Sequence, residues 1–475
     1  MTDRAWRLLT LGIVAALCAP ALDFGFVSDD QHVIVQGKLV GSLANLPRLW
    51  THDTMFNTDL GEFSRTSRLD TYRPLTMTTF ALDHALWGKR ALGYHLSSLL
   101  LHLLAAALVM RFSEQMLGSC RRACAVALAF GVHPLLTEAY VWINGRSDAL
   151  ACVLALGSLL ALERADGRAR YAGLAGLLLF LACLSKETAL VLTVPLLLRP
   201  ATLSLRGRAV CLSLLAAAAA YLCVRTVVLR GVRVGSGADL IDALGYVPWI
   251  LAEGVAELLL PRQTTVRFLM EDVRLATGLS WAAHVAVLLG AAALLWRLRH
   301  RRLLLFGAAA FILLLAPVAL VVPMRWIGFG RYLYLPAALL LPGLVDAIAA
   351  LRRRRIVMAV WLGALAFVHI TSLPDWRDNE HVLHAAIRAQ PDRSHGFGAL
   401  GAMRVASGDL DQGLPLLETA NRKGLPNPRW IAALADAYMR AGRPKDAIAV
   451  AQDGLRRFPH DRGLHEFFRR IQPSP

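Results

Sequence analysis

Eleven apolar stretches, most of them bordered by arginine or polar loop residues, constrain this chain more than any other feature. Crossing the hydrocarbon of a bilayer takes about 20 mostly apolar residues in helix, somewhat fewer where neighbours shield the ends. The stretches run Trp6–Leu22, Leu92–Phe112, Ala123–Tyr140, Asp148–Leu162, Tyr171–Leu184, Thr188–Leu198, Ala209–Leu229, Trp281–Trp296, Leu303–Val322, Tyr332–Ala350 and Ile356–Ser372, two of them short. With 56% hydrophobic and only 18% charged residues, an ordinary soluble globular protein is excluded, and the expected fold is an all-α polytopic membrane protein of about eleven spans. The net charge of +17 sits in short clusters between apolar runs, where it reads as a topology signal; nucleic-acid binding is set aside.

A cytoplasmic amino terminus carrying Arg4 and Arg7 places every later basic cluster on the same side: Arg121 and Arg122, Arg164 to Arg170, Arg199 to Arg208, Arg297 to Arg302, and Arg352 to Arg355. The long connections 23–91 and 230–280, and the tail from Leu373, then face outward, into a bacterial periplasm or its equivalent, from a core in the inner membrane. The first run reads as a retained anchor, with a cleaved signal peptide ending near Cys18-Ala19-Pro20-Ala21 as the alternative. Leu240 to Leu260 carries Asp242, Glu253 and Glu257, which favours an interfacial or re-entrant helix over a full span. All seven cysteines lie in membrane runs or cytoplasmic turns, so no disulfide framework supports the outer parts.

The chain divides into a membrane core, 1–373, and a helical module, 374–475. Two windows of 34 residues in the module superpose: Pro428 to Asp461 carries Trp430, Leu434, Ala435, Tyr438, Gly442, Ala447, Ala451, Gly454 and Pro459 at or close to tetratricopeptide spacing. The first window, Ser394 to Asn427, is degenerate at Arg404 and Gly413. Asp375 to Gln390 is expected to add a preceding helix and Gly463 to Ile471 a capping one. Two readings of the module stand: a helical extension packed on the core, or a groove for a partner.

Ionisable groups are expensive in a bilayer, and those kept here gather at the outward ends of the runs. Asp29 and Asp30 follow the first run, ahead of a strand-like Val33-Ile34-Val35. Adjacent side chains on irregular backbone diverge, so one carboxylate suits a general base and the other holds the loop or a cation. Arg73, in Tyr72-Arg73-Pro74-Leu75-Thr76, could clamp phosphate or anchor to headgroups. Tyr94 and His95 precede His102, with a packed role favoured for the histidines. His133, Thr137 and Glu138 share one hairpin with Arg146 and Asp148, two residues expected to pair with each other. Lys186 and Glu187 interrupt an apolar hairpin. Trp326 and Tyr332 read first as aromatic-belt residues, and Arg331, with no neighbouring acid in sequence, favours an anionic ligand.

Taken in order, Asp29-Asp30, Tyr-Arg-Pro-Leu-Thr at Tyr72, Gly-Tyr-His at Gly93, His-Pro-x-x-Thr-Glu at His133, Gly-Arg-x-Asp at Gly145, Ser-Lys-Glu at Ser185 and Arg-Tyr-Leu-Tyr-Leu-Pro at Arg331 resemble the transmembrane-and-tetratricopeptide O-mannosyltransferase family, a branch of the type C glycosyltransferases. The likeness is thin over Arg206 to Ser280, and the module is shorter than that family's usual repeat array. The resemblance implies an enzyme that moves mannose or a similar sugar from a polyprenyl-phosphate carrier to a hydroxyl of a protein or glycan acceptor. In that reading Asp29 is the base with Asp30 second, Arg73, Lys186 and Arg331 hold phosphate, and Glu138, Arg146 and Asp148 organise the cavity or contact the sugar. Tyr94, His95, His133, Glu187 and Tyr332 complete the substrate-binding set. A divalent cation is compatible with these acids, but no tight cluster of His and carboxylates demands one. Rival functions for the same features are a lipid-linked saccharide flippase and a membrane-anchored scaffold.

Overall fold

The computed structural model describes residues 2–57, 71–165, 168–197, 208–229, 237–260, 278–321, 330–424 and 427–471. It is helical, and the described residues contain no strand. Each of the eleven apolar stretches contributes helix, and among the described residues six helices are long and apolar enough to cross a membrane on their own. A seventh crossing requires counting Cys120–Gly131 and Pro134–Val141 as one span bent by 56°. The others, including Ala169–Ser185 and Glu187–Leu197, are shorter apolar helices.

The bend corrects the expectation of a continuous helix over Ala123–Tyr140. Pro134 lacks an N–H and disfavours helical backbone at the residue before it; His133 accordingly sits at ψ 120° and opens a new turn through its side chain. Val33-Ile34-Val35 is likewise one helical turn, Gln31–Val35, rather than a strand. The Asp29 carbonyl accepts from the Val33 N–H at 2.8 Å, and Val33 and Ile34 are both buried, which an alternating strand on one surface would not allow.

The core is a continuous apolar cluster shared by the helices Ala91–Leu117, Arg146–Glu163, Ala169–Ser185, Arg208–Leu229, Arg302–Val321 and Tyr334–Ala349. With lipid outside, apolar surface alone does not drive helices together, and close backbone approach through small residues matters more. A Cβ on Gly343 would lie 2.5 Å from Leu304 Cα, and one on Gly307 would lie 2.7 Å from the Leu339 carbonyl oxygen. The two helices therefore touch backbone to backbone at both glycines. The first helix, Asp3–Cys18, packs against the bundle, with Val14 and Cys18 fully buried.

Basic clusters distant in sequence meet at one end of the bundle, as the charge pattern predicts. Asp346 accepts from Arg122 at 2.8 Å and from Arg301 at 3.4 Å, while Arg7 donates to Glu114 at 2.6 Å. Most of the cluster from Arg199 lies outside the described residues. The segment Gly237–Leu259 is a helix packed against Gly278–Arg297 and Arg302–Val321, and its Glu253 is hydrogen-bonded to His284 at 2.9 Å.

Beyond the last apolar helix, Arg354–Ser372, six amphipathic helices form the tail: Asn379–Ala389, His395–Ala406, Leu410–Arg422, Pro428–Arg440, Pro444–Arg457 and Arg462–Ile471. The expected preceding and capping helices are present. Leu434, Ala435, Ala447, Ala451 and Gly454 line the seam between hairpins. The two residues that weaken the first repeat have local uses. Gly413 lets its helix approach Gly401, where a Cβ would come within 3.0 Å of the other's carbonyl, and Arg404 pairs with Glu380 of the preceding helix.

Replacing Gly343 with leucine should force apart the helices Arg302–Val321 and Tyr334–Ala349. The expected cost, by analogy with overpacked cores, is about 1–3 kcal/mol or more, read as a lower unfolding temperature in detergent, with Gly363→Leu, where nothing lies within 4 Å, as the neutral control.

Candidate active site

The first loop turns sharply at Ser28, whose φ of 52° is the only positive value outside glycine among the described residues. The two carboxylates that follow diverge. Asp30 is fully buried and accepts from three backbone N–H groups: Val27 at 3.1 Å, Ile143 at 3.4 Å and Asn144 at 2.8 Å. It ties the loop to the hairpin before the Arg146–Glu163 helix. Burial raises its carboxyl to about 7 against the pull of those N–H groups. Asp29 stays at the loop surface. Protein packed around it raises its carboxyl above the ordinary range, and the charges of Arg331 and His32 draw it back.

Three cations from separate segments each sit with an acid, and the charge of one of them, Arg331, reaches Asp29. Arg73 makes a two-pronged contact with Glu187, Nε to Oε2 at 2.9 Å and Nη2 to Oε1 at 2.6 Å. Lys186 Nζ lies 2.5 Å from Asp148 Oδ1 and 4.2 Å above the Tyr332 ring. Arg331 has the loosest partner, Glu138, at 3.9 Å, and its guanidinium stacks over Trp142 at 4.2 Å and Tyr332 at 5.1 Å. The charges of Asp29 and Arg331, of Arg331 and Lys186, and of Lys186 and Arg73 are close enough to interact. Residues spread over some three hundred positions thus form one chain of charges.

Local structure explains the placement. Lys186 ends the Ala169–Ser185 helix in extended backbone, φ −155° and ψ 128°, which turns its side chain back beneath Tyr332. Glu138 Oε2 accepts the backbone N–H of Arg331 at 3.1 Å, so one acid holds both the main chain and the side chain of that residue.

Two sequence expectations are corrected. Arg331 does have an acid, Glu138, brought from another hairpin. Arg146 does not pair with Asp148: residues two apart on a helix point to different sides, so Arg146 turns to Asp83 at 2.5 Å and Asp148 to Lys186. Arg146 also donates to Ser98 at 3.0 Å and to the Tyr94 carbonyl at 2.7 Å. It is fully buried and locks the Pro74–Trp87 and Ala91–Leu117 helices together. Asp83 was not anticipated; an acid within the apolar stretch Phe80-Ala81-Leu82-Asp83 was the available signal.

Three further candidates stand apart from the charge chain. The Tyr94 hydroxyl donates to the Gly88 carbonyl at 3.0 Å, His95 Nε2 is 3.2 Å from the Gly25 carbonyl, and His133 Nε2 is 3.1 Å from the Leu258 carbonyl. His102 is packed as expected, hydrogen-bonded to Tyr334 and Gly131. Tyr332 is buried between two cations rather than facing a lipid interface. Arg325 and Trp326 lie outside the described residues.

A small pocket opens at this cluster, polar on one wall, with Asp148, Lys186, Thr188 and Tyr332, and apolar on the other, with Leu314, Leu335 and Pro336. Asp148 Oδ2 is buried there without a hydrogen-bond partner among the described residues. The one convergence of metal-ligand side chains found among the described residues lies elsewhere, at Asp3, Glu114 and Cys120, where Arg7 already contacts Glu114.

About a third of the chain has counterparts in known proteins. The chain is 30% identical over 159 residues to protein O-mannosyl-transferase TMTC3 of Homo sapiens, covering 34% of this chain and 17% of that protein. It is 33% identical over 170 residues to TMTC4 of Mus musculus, covering 33% and 22% respectively, and 34% identical over 146 residues to Tmtc1 of Drosophila melanogaster, covering 30% and 16%. Its homologues are thus transmembrane-and-tetratricopeptide O-mannosyl-transferases, aligned over about a third of this chain and about a fifth of their own length. The family model described as Tetratricopeptide repeat matches residues 404–467. No solved structure matches.

Asp30→Ala should strand three buried N–H groups. At about 1 kcal/mol or more for each, the expected loss is roughly 3 kcal/mol, checked by unfolding of the purified protein, and it should exceed that of Asp29→Ala.

Proposed function

We propose that the chain is a membrane glycosyltransferase that moves mannose or a similar sugar from polyprenyl phosphate to a hydroxyl of a protein or glycan acceptor. The observation that carries this reading is the set of three cations from remote segments, Arg73, Lys186 and Arg331, each paired with an acid, with the loop-surface Asp29 within reach of the Arg331 charge. The kinship with proteins named O-mannosyl-transferases supports it independently. The Arg-rich ends of the helices fit a cytoplasmic amino terminus in a cell's inner membrane, with this site and the repeat module on the outer face.

In the mechanism, Asp29 takes the proton from the acceptor hydroxyl as its oxygen attacks the anomeric carbon. The bond from that carbon to the phosphate oxygen breaks, and the electron pair leaves with the polyprenyl phosphate. Attack opposite the leaving group in one displacement inverts the anomeric centre. A phosphate departs without a strong general acid when cations stabilise its growing charge. Arg331 is best suited, because its acid partner is the most distant of the three; Lys186 is second, and Arg73 chiefly holds Glu187. Asp148 Oδ2, buried without a hydrogen-bond partner among the described residues, suits a sugar hydroxyl.

Purified protein in lipid nanodiscs, given polyprenyl-phosphate mannose and a threonine-rich peptide, tests the reading. Asp29→Asn is expected to lower transfer about 10²–10⁴-fold and Arg331→Ala about 10²–10³-fold. A flippase would keep moving lipid-linked sugar with Asp29→Asn, and that result would sink the assignment. The pH profile adds a second check. Asp29 must be ionised, its carboxyl stands above the ordinary range, and His32 lowers it. His32→Ala should therefore move the acid limb of the rate to higher pH, with the plateau unchanged.

A further inference from the structure

We infer that Asn379, at the start of the repeat module's first helix, is a positioning residue that holds the Asp29 loop in its working shape. The inference rests on the reading of Asp29 as the base, and it makes the tail part of the active site rather than only a place to dock an acceptor.

The loop is clamped from two sides. From the core, Asp30 collects the N–H groups of Val27, Ile143 and Asn144, and His95 meets the Gly25 carbonyl. From the tail, Asn379 Oδ1 accepts the Ser28 N–H at 2.6 Å, and the Arg377 carbonyl accepts the Gly25 N–H at 2.8 Å. Phe24 and Val27 share an apolar cluster with Trp376, Val382, Ala385 and Ala386, so the tail helix grips side chains as well as backbone.

Ser28 is where this grip bears on chemistry. Serine has no steric licence for positive φ, and outside glycine, asparagine and aspartate such a residue needs its surroundings to hold it. The Ser28 peptide hydrogen is the one Asn379 receives, and the next residue is Asp29. Without the Asn379 oxygen, Ser28 relaxes toward negative φ, and the direction in which Asp29 leaves the backbone changes. A displacement of about 1 Å at a reacting group costs roughly a hundredfold in rate. Asp378 caps the same helix by accepting the His381 N–H at 2.9 Å, which fixes the helix start on which Asn379 sits.

The test uses the full-length protein in nanodiscs with polyprenyl-phosphate mannose and a threonine-rich peptide. Asn379→Ala is expected to lower kcat about tenfold or more, with the donor KM within about twofold of wild type. Asn379→Asp, which keeps an acceptor oxygen, should restore most of the rate. Combined with Asn379→Ala, Ser28→Gly, which makes positive φ free of steric cost, should restore part of the lost rate. An Asn379→Ala kcat equal to wild type, or an Asn379→Asp enzyme as slow as the alanine variant, overturns the positioning role while Asp29→Asn remains inactive. Should Asn379→Ala not fold, Asn379→Ser, whose shorter side chain withdraws the acceptor from the Ser28 N–H, takes its place, and a kcat equal to wild type overturns the role. An active Asp29→Asn instead removes the base itself and the inference with it.

Discussion

A charge withdrawn from water must find a counter-charge, and this requirement organises the loop-facing end of the helical core. Arg73 with Glu187, Lys186 with Asp148, Arg331 with Glu138 and Arg146 with Asp83 each join segments that are remote in sequence. Removing one partner would leave the other stranded at a cost of several kcal/mol. The pairs therefore hold the helix ends in register, and the one with Glu138 keeps Arg331 where its charge reaches Asp29. Fold and candidate chemistry share one set of interactions.

Most of the architecture was legible because bilayer physics writes it in composition. Apolar length marks the helices, and arginine marks their ends, which is why Arg122 and Arg301 meet at Asp346. The break at His133-Pro134 went unread in its apolar run, although the missing N–H of proline was the signal. Pairing was not legible. Neighbourhood in sequence pointed Arg146 to Asp148, but helix geometry turns them apart, and Arg331 finds Glu138 193 positions away. Such pairs depend on how helices cross, and crossing depends on local contacts such as Gly343 on Leu304 that no single run of residues records.

The tail shows the same limit. Its repeats announce themselves through small residues at fixed spacing, in agreement with the matched span 404–467. The apolar face of Asn379–Ala389, with Val382, Ala385 and Ala386, reads equally well as one more seam inside the module. It packs with Phe24 and Val27, while Ile387 of the same helix meets Gly396 inside the module. An amphipathic face states that it needs a partner and leaves the partner unnamed, because apolar contact carries little direction.

The adjacent carboxylates show how one residue type divides into two roles. Asp30 faces inward, fully buried with three N–H groups on its oxygens, and presents no surface to a substrate. Asp29 faces outward with Arg331 near it, raised in pKa by its surroundings without being consumed by hydrogen bonds. The cations divide in the same way. The two-pronged grip on Glu187 leaves Arg73 little to offer an incoming phosphate, whereas Arg331, held by ring faces and by an acid at 3.9 Å, can turn to an anion without abandoning a strong bond. In the proposed reaction the leaving group would therefore gather its charge at Arg331, the cation that already faces Asp29, so that the residue receiving the proton and the residue receiving the phosphate charge are neighbours.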